Sequence, residues 1–300
     1  MINIGIFGNS KRAKLIIDAI KTIPETGIIY LPEDNEQDIK DIDNRHLAKD
    51  ENDFIQRSDA MIYEIEKNCH SSITAALKNS KSVLISSPHL YEPDEIKTFR
   101  KIADESNVNI LLNTDLVLSY TEINAEWLTI NPRLIEVEYF NKDIDYRDTK
   151  SALFHLLYHH LCFINQMVDF SVRKYSAQYF PLDDHRLMVI YCMLELENGA
   201  IVSLTSGNLK DEEKNEIKIY QESNMIIYDL LNNKSIIREY SGDRNFKPIF
   251  RSRNHHFLSH LFFVEDIVNK KDKALLDPTD NNYESFLLFH RILNHLDVME

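Results

Sequence analysis

The chain has 300 residues, of which 43% are hydrophobic and 27% charged, and its formal net charge is −14. This composition provides ample material for a core, and the length favours two domains. The acidic balance argues against nucleic acid or anionic lipid as the main partner, because phosphate groups are bound by clustered Lys and Arg. There is no basic-then-apolar leader and no apolar run of about 20 residues, and Cys69, Cys162 and Cys192 are widely spaced. We therefore expect a cytoplasmic protein with reduced thiols.

The first 118 residues alternate between strand-like and helix-like segments. Strands are predicted at 2–7, 28–31, 60–65, 82–85 and 108–112, and the helices between them at 10–21, 71–78 and 92–106, with an acidic loop and a short helix within 32–52. Strands separated by helices of this length form a parallel sheet with right-handed crossovers. The pattern therefore predicts an α/β fold whose first domain, residues 1–118, is a Rossmann-like doubly wound sheet.

After residue 118 the strands follow one another in series. They are predicted at 133–141, 173–180, 186–195, 200–207, 216–221 and 224–229, with helices at 122–128, 152–168, 257–268 and 283–296. The pair Asn198-Gly199 is a strong hairpin signal. We therefore predict an α+β second domain over residues 119–300, with a large, mostly antiparallel sheet covered on one face by helices. Its open face could pair two chains, so we expect a homodimer or higher homo-oligomer.

The turn after the first strand reads Gly8-x-Ser10-x-x-Ala13. Dinucleotide-binding units have G-x-G-x-x-G at this place, where the glycines allow a tight turn, close approach of a pyrophosphate and close helix–strand packing. Serine and alanine are the next-smallest residues and still permit these tasks. A plain strand–turn–helix connection without a ligand is the alternative.

Further segments, taken in order, resemble the Gfo/Idh/MocA family of NAD(P)-dependent oxidoreductases. Asp59-Ala60-Met61-Ile62-Tyr63 with the following Asn68-Cys69-His70 resembles the family's D-A-V-x-I…P-x-x-H segment, 81–88 its G-K-H-V-L-x-E-K-P motif, and 194–200 its F-E-N-G-A hairpin. The biliverdin reductases are a distant branch of similar length. The resemblance implies hydride transfer between a nicotinamide and a hydroxyl carbon of a sugar, cyclitol or related small molecule.

The same resemblance implies a set of cofactor-binding residues in the first domain. Gly8, Ser10 and Ala13 would line the pyrophosphate site at a helix N-terminus, and Pro88 would lie beside the cofactor. Glu33 stands where the family has the acid that binds the adenosine ribose hydroxyls. An acid there would repel a 2′-phosphate, so NAD is expected in preference to NADP. A solvated acid in an acid-rich loop is the alternative for Glu33.

The motif at 81–88 departs from the family at its catalytic position. Ser87 stands where the family has a lysine that holds a proton and stabilises alkoxide charge, and Ser86 replaces the preceding glutamate. The serine hydroxyl is too weakly acidic to replace the lysine, so Ser87 is a doubtful catalytic residue. His89 follows closely, but a histidine beside a proline in a loop is expected at the surface.

Three histidines interrupt the apolar helix of the second domain. His155 and His159 are four positions apart and share a face, a spacing that suits a metal or a substrate. No clear third ligand is nearby, so no metal is expected, and His160 is expected in the core or an interface. His159 matches the family's substrate-side histidine, so it is the candidate acid/base, with His155 a candidate substrate contact.

Two main functions remain open from the sequence. One is a working NAD(P)-dependent oxidoreductase in which His159 substitutes for the missing lysine. The other is a non-catalytic relative that keeps the fold, and with it a nucleotide or another ligand, in a regulatory or assembly role. The altered residues Ser10, Ala13, Ser86 and Ser87 favour the second, whereas Glu33 and His159 favour the first.

Overall fold

The computed structural model describes residues 1–8, 10–33, 46–65, 67–114, 131–141, 149–168, 170–183, 187–209, 213–232, 234–239, 242–244, 258–269 and 278–296. The helix expected at 122–128 lies outside these ranges. The chain divides into two compact units. The first comprises Met1–Asp115 with Asn254–Tyr283, and the second Leu116–Arg253 with Glu284–Glu300.

Strands and helices follow the chain in this order. The strands are β1 (Ile2–Gly8), β2 (Thr26–Pro32), β3 (Ala60–Glu64), β4 (Ser82–Ile85), β5 (Ile110–Leu112), β6 (Leu134–Phe140), β7 (Val172–Asp183), β8 (Leu187–Leu196), β9 (Ile201–Gly207), β10 (Lys214–Tyr220), β11 (Asn224–Asp229), β12 (Lys234–Glu239) and β13 (Gly242–Arg244). The helices are α1 (Ser10–Ile20), α2 (Glu51–Arg57), α3 (His70–Lys78), α4 (Pro93–Glu105), α5 (Thr149–Leu153), α6 (His159–Met167), α7 (Leu258–Asn269) and α8 (Pro278–His295). A π-helical turn, Phe154–Tyr158, joins α5 to α6.

The first unit contains a five-stranded parallel sheet in the order β2-β1-β3-β4-β5. Its central strands are apolar runs because both faces are covered, and every residue of β3 is buried. The N-terminus of α2 is fixed by Asp50, whose carboxylate accepts a hydrogen bond from the Asp53 N–H at 2.8 Å. This sheet confirms the Rossmann-like class predicted for the first domain.

One helix is assigned differently from the sequence prediction. The division at residue 118 placed α7 in the second domain, but the structure groups it with the first unit. Its buried residues Leu261, Phe263 and Val264 share an apolar core with Ile16 and Ile20 of α1. Burial of these side chains is the physical reason, since the apolar face of α7 completes the core on one side of the parallel sheet.

The second unit contains an eight-stranded sheet in the order β13-β12-β11-β10-β6-β9-β8-β7. The pairing of β6 with β9 is parallel, and the other pairs are antiparallel. Gly199, with φ at +81°, closes the expected turn between β8 and β9. The predicted mostly antiparallel sheet is therefore confirmed, and β12 and β13 extend it beyond the predicted strands.

The two faces of this sheet differ in polarity. On β6, Ile135 and Val137 are buried, whereas Glu136 and Glu138 alternate with them toward the other face. Glu138 accepts a hydrogen bond from Lys214 at 2.7 Å, and further Lys–Glu pairs follow along β10. This part of the open face is charged rather than apolar. No helix in the described part of the chain is long and apolar enough to cross a membrane.

Candidate functional site

The strands β1 and β3 end side by side at the carboxyl edge of the parallel sheet. Gly8 of β1 is the register partner of Glu64 of β3, and a Cβ atom on Gly8 would overlap the carbonyl oxygen of Glu64. The Gly8 carbonyl accepts hydrogen bonds from the Tyr30 hydroxyl at 2.9 Å and the Glu33 N–H at 3.2 Å. Glycine is therefore required here by the packing of the protein's own backbone, whether or not a ligand binds.

The other two residues of the opening turn belong to α1. Ser10 is the first residue of this helix, and Ala13 is fully buried in the apolar core of the first unit. A small side chain at Ala13 lets the helix pack closely on the sheet, which is the task of the third glycine in the dinucleotide-binding motif. The helix has no acidic residue in its own first turn.

Glu33 directly follows β2 and is bonded through its backbone to Gly8. Its side chain is 12% exposed, and the Oε1 atom lies 3.6 Å from Nζ of Lys67, which is itself 54% exposed. A pair with an exposed lysine contributes little to stability, so this pair does not prevent the carboxylate from binding another donor. Glu33 therefore lies at the carboxyl edge of the sheet beside Gly8.

The structure adds a group that the sequence analysis did not identify. The carboxylate of Glu64 is 3% exposed, and it lies 2.9 Å from Nε of Arg12 and 3.4 Å from Nε2 of His260. Arg12 belongs to α1 and His260 to α7, so three elements of the first unit meet at this carboxylate. The sign of this group in the sequence was an acidic residue, Glu64, at the end of the otherwise apolar strand β3.

This cluster favours the ionised form of Glu64. Burial alone raises the pKa of a carboxyl group, but the hydrogen bond from His260, the charge of Arg12 and a hydrogen bond from Ser86 outweigh it. The pKa of Glu64 is therefore lower than its ordinary value. The carboxylate carries a negative charge at neutral pH, next to Gly8 and the first turn of α1.

The motif at the end of β4 is buried. Ser86 is 4% exposed, and its Oγ lies 3.1 Å from Nε2 of His260, while Ser87 is 9% exposed. Pro88 begins a short 3-10 turn, Pro88–Leu90. His89 is buried, so the expectation of a surface histidine is wrong, because this turn folds its residues inward instead of continuing as an exposed loop. Ser86 is also hydrogen-bonded to the carboxylate of Glu64, which belongs to the neighbouring strand β3.

The histidines of the second unit lie where the helix changes its winding. The π-helical turn ends at Tyr158, and α6 begins at His159. The rings of His155 and His159 are 5.8 Å apart between centroids, and His159 is buried. π-Helical turns occur frequently at functional sites. Burial raises the pKa of the nearby Tyr158 hydroxyl well above its ordinary value, so this hydroxyl stays protonated at neutral pH.

His160, by contrast, is held within the core by neighbouring side chains. Its Nε2 lies 3.0 Å from Oδ1 of Asn215, and its ring packs against Tyr139. Burial lowers the pKa of His160 to about 4, so it is neutral at pH 7. This places His160 in the core, as expected. Among the described residues, no group of three or more His, Cys, Asp or Glu side chains could hold a metal ion.

The parallel sheet followed by a large, mostly antiparallel sheet defines the two-domain fold of Gfo/Idh/MocA-type dehydrogenases. No protein-family model and no curated protein sequence matches the chain. Among solved structures, UDP-N-acetylglucosamine 3-dehydrogenase GnnA from Acidithiobacillus ferrooxidans is similar with a TM-score of 0.82 and 13% identity, over 99% of this chain and 98% of the other. A Gfo/Idh/MocA family oxidoreductase from Vibrio cholerae has a TM-score of 0.78 and 11% identity, over 98% and 97% of the two chains.

Biliverdin reductase from Synechocystis sp. PCC 6803, solved with biliverdin and NADP+, is similar over 99% of each chain, with a TM-score of 0.75 and 12% identity. At these identities the likeness concerns the fold. It confirms the fold that the resemblance implied, and it leaves the chemistry to be argued from the residues of this chain.

Proposed function

We propose that this protein is an oxidoreductase-like protein that binds a nicotinamide dinucleotide in its first unit and acts on a sugar- or cyclitol-like small molecule. The observation that carries the proposal is Glu33, whose largely buried carboxylate lies beside Gly8 at the carboxyl edge of the sheet. Parallel sheets bind dinucleotides at this edge, with an acid on the ribose hydroxyls. The carboxylate favours NAD over NADP, because it would repel a 2′-phosphate.

The proposed roles of the residues follow from their chemistry. Gly8 and Ser10 would lie beside the phosphates, and Ala13 would let α1 pack closely on the sheet beneath them. Glu33 would bind the adenosine ribose, and Pro88 would lie near the nicotinamide end. The bound dinucleotide would donate or accept a hydride. The matching proton needs an acid/base group of this chain, and we propose the imidazole of His159 for it.

A second candidate is a non-catalytic ligand-binding relative. It is favoured by Ser87, a buried hydroxyl at the position where the resemblance implies a lysine. A serine hydroxyl is uncharged and keeps its proton at neutral pH, so it can neither exchange a proton with the reacting oxygen nor stabilise an alkoxide as a lysine ammonium does. In this case the dinucleotide would bind without turnover.

The cytoplasmic location and the homo-oligomer formed through the second sheet also stay predictions. Sedimentation velocity would test the oligomeric state.

Binding is tested by titrating the purified protein with NADH in a calorimeter. Glu33→Gln should weaken NADH by about 1–3 kcal/mol, the usual value of a hydrogen bond to a charged group. Glu105→Gln is the matched control, because Glu105 is 65% exposed on α4 and its Oε1 lies 3.9 Å from Nζ of the exposed Lys101. Equal NADH affinity in the Glu33 variant and the wild type would show that Glu33 does not contact the ribose.

Turnover is tested separately with NAD+ and a panel of sugars and cyclitols. If the protein is an active oxidoreductase, His159→Gln should abolish NADH formation while NADH affinity is unchanged. Binding of NADH with no turnover on the whole panel would favour the non-catalytic candidate. Loss of NADH affinity in the His159 variant would contradict a role confined to the substrate.

A further inference from the structure

The carboxylate of Glu64 lies beside the turn to which the proposed function assigns the dinucleotide phosphates. It is next to Gly8 in the sheet register and 2.9 Å from Nε of Arg12, a residue in the first turns of α1. Free N–H groups and the helix dipole favour negative charge at such a helix N-terminus. In strand–turn–helix units of this kind, that charge is the pyrophosphate of a dinucleotide.

Glu64 also has the partners of a firmly held anion. Its second oxygen lies 3.4 Å from Nε2 of His260, and Ser86 is bonded to the same cluster. Both Glu64 and His260 are almost fully buried, whereas Arg12 is 48% exposed and forms the outer side of the cluster. The guanidinium is thus the one member of this cluster that an incoming phosphate reaches from solvent.

A phosphate and a carboxylate compete for this position. Two like charges brought together on one guanidinium repel each other, and such juxtapositions are a strong source of discrimination. A dinucleotide that reached Arg12 would have to displace the Glu64 carboxylate or tolerate its charge. An uncharged side chain at this position would remove that conflict and leave Arg12 to the phosphate.

We propose that Glu64 is an internal anion that occupies the phosphate-binding position of the first unit and restrains dinucleotide binding. This inference rests on the proposed function, because it assumes that the ligand of the first unit carries phosphates. It identifies Glu64 as a specificity-determining residue that lowers the affinity for phosphate-bearing ligands. Removing this buried, paired carboxylate therefore tightens binding, the opposite of what a merely structural acid would do.

The test compares NADH affinity in the wild type and in Glu64→Gln, which keeps the shape of the side chain and removes its charge. We expect affinity to rise by about tenfold or more, since like-charge contacts cost several kcal/mol and each tenfold is about 1.4 kcal/mol. Glu105→Gln, which removes the same charge from an exposed position at the C-terminal end of α4, should leave the affinity unchanged. Circular dichroism checks that each variant folds, and Glu64→Ala is the second variant if the glutamine does not.

A double-mutant cycle shows whether the gain uses Arg12. Glu64→Gln should raise NADH affinity less in the Arg12→Met background than in the wild type, because the phosphate then lacks the cation that the carboxylate releases. An equal gain in both backgrounds would mean that Arg12 takes no part in the competition and would overturn the inference. Equal NADH affinity in the wild type and Glu64→Gln would also overturn it, while leaving the proposed function intact. No NADH binding by any of these folded proteins would remove the proposed function itself.

Discussion

Replacing Glu64 with glutamine should lower the stability of the first sheet by about 1–2 kcal/mol at pH 7. The variant loses the ion pair with Arg12 at 2.9 Å and the charge-assisted contact with His260 at 3.4 Å. Arg12 is 48% exposed, so its share of the pair is screened and it returns to water at little cost. An imidazole is able to be neutral, so no obligatory charge is left buried. The loss is therefore smaller than the roughly 3–5 kcal/mol of a broken, fully buried pair.

The stability difference between the wild type and Glu64→Gln should decrease as the pH falls. The pKa of Glu64 is lowered in the folded protein, while an unfolded glutamate has a pKa of about 4.3. The unfolded chain therefore takes up this proton first as the pH falls. The stability that Glu64 provides is fully present above about pH 5 and is lost as the pH falls through its folded pKa. The difference between wild type and variant should thus be constant from about pH 7 to 5 and shrink below about pH 4.

Amide hydrogen exchange of the peptides covering Ile2–Gly8 and Ala60–Glu64 is the assay. It reports local opening free energies, which suits a chain of two units better than a single global transition. The control is Glu105→Gln, whose exchange in these strands should match the wild type. A wild type and Glu64→Gln with equal protection at pH 7, or with a gap as large at pH 3 as at pH 7, would refute the reasoning.

Three other changes have defined outcomes. Gly8→Ala should lower stability by about 1–3 kcal/mol, because its Cβ would overlap the Glu64 carbonyl oxygen; an unchanged melting temperature would contradict this. Acidification from pH 6.5 to about 4 should destabilise the protein, since burial lowers the pKa of His160 from 6.5 to about 4 and the unfolded chain binds the proton first. His160→Gln should flatten this part of the pH profile in urea titrations, and an unaltered slope would count against it. Ser87→Lys should be about 1–3 kcal/mol less stable than Ser87→Ala, because Ser87 is buried; equal urea midpoints would refute that.

The fold could be predicted largely from local patterns. The buried strands β1, β3 and β4 are short apolar runs with helices between them, and this alternation determines a parallel sheet. The strand β12 was missed because Lys234–Glu239 mixes charged and apolar residues without a clear period. The unit to which α7 belongs was also missed, since an apolar helix face does not specify which sheet it covers.

Only part of the candidate site could be predicted from the sequence. Glu33 could be located because it directly follows a predicted strand, where neighbouring parallel strands share an edge. The cluster at Glu64 joins Arg12 and His260 from distant parts of the chain, and no periodic pattern connects residues so far apart. Gly8 shows a further limit of prediction from motifs. The dinucleotide-binding motif attributes this glycine to a ligand, whereas the adjacent backbone of β3 already requires it.

The return of α7 to the first unit affects how a nascent chain folds on the ribosome. Asp115 and Asn254 bound the gap in this unit, and about 140 residues lie between them. At about 5–20 residues per second, synthesis of this stretch takes roughly 7–30 s. During that delay the apolar side of α1 lacks its cover, so chaperones have time to bind there. A fragment ending at residue 118 would share this defect permanently and would be prone to aggregate.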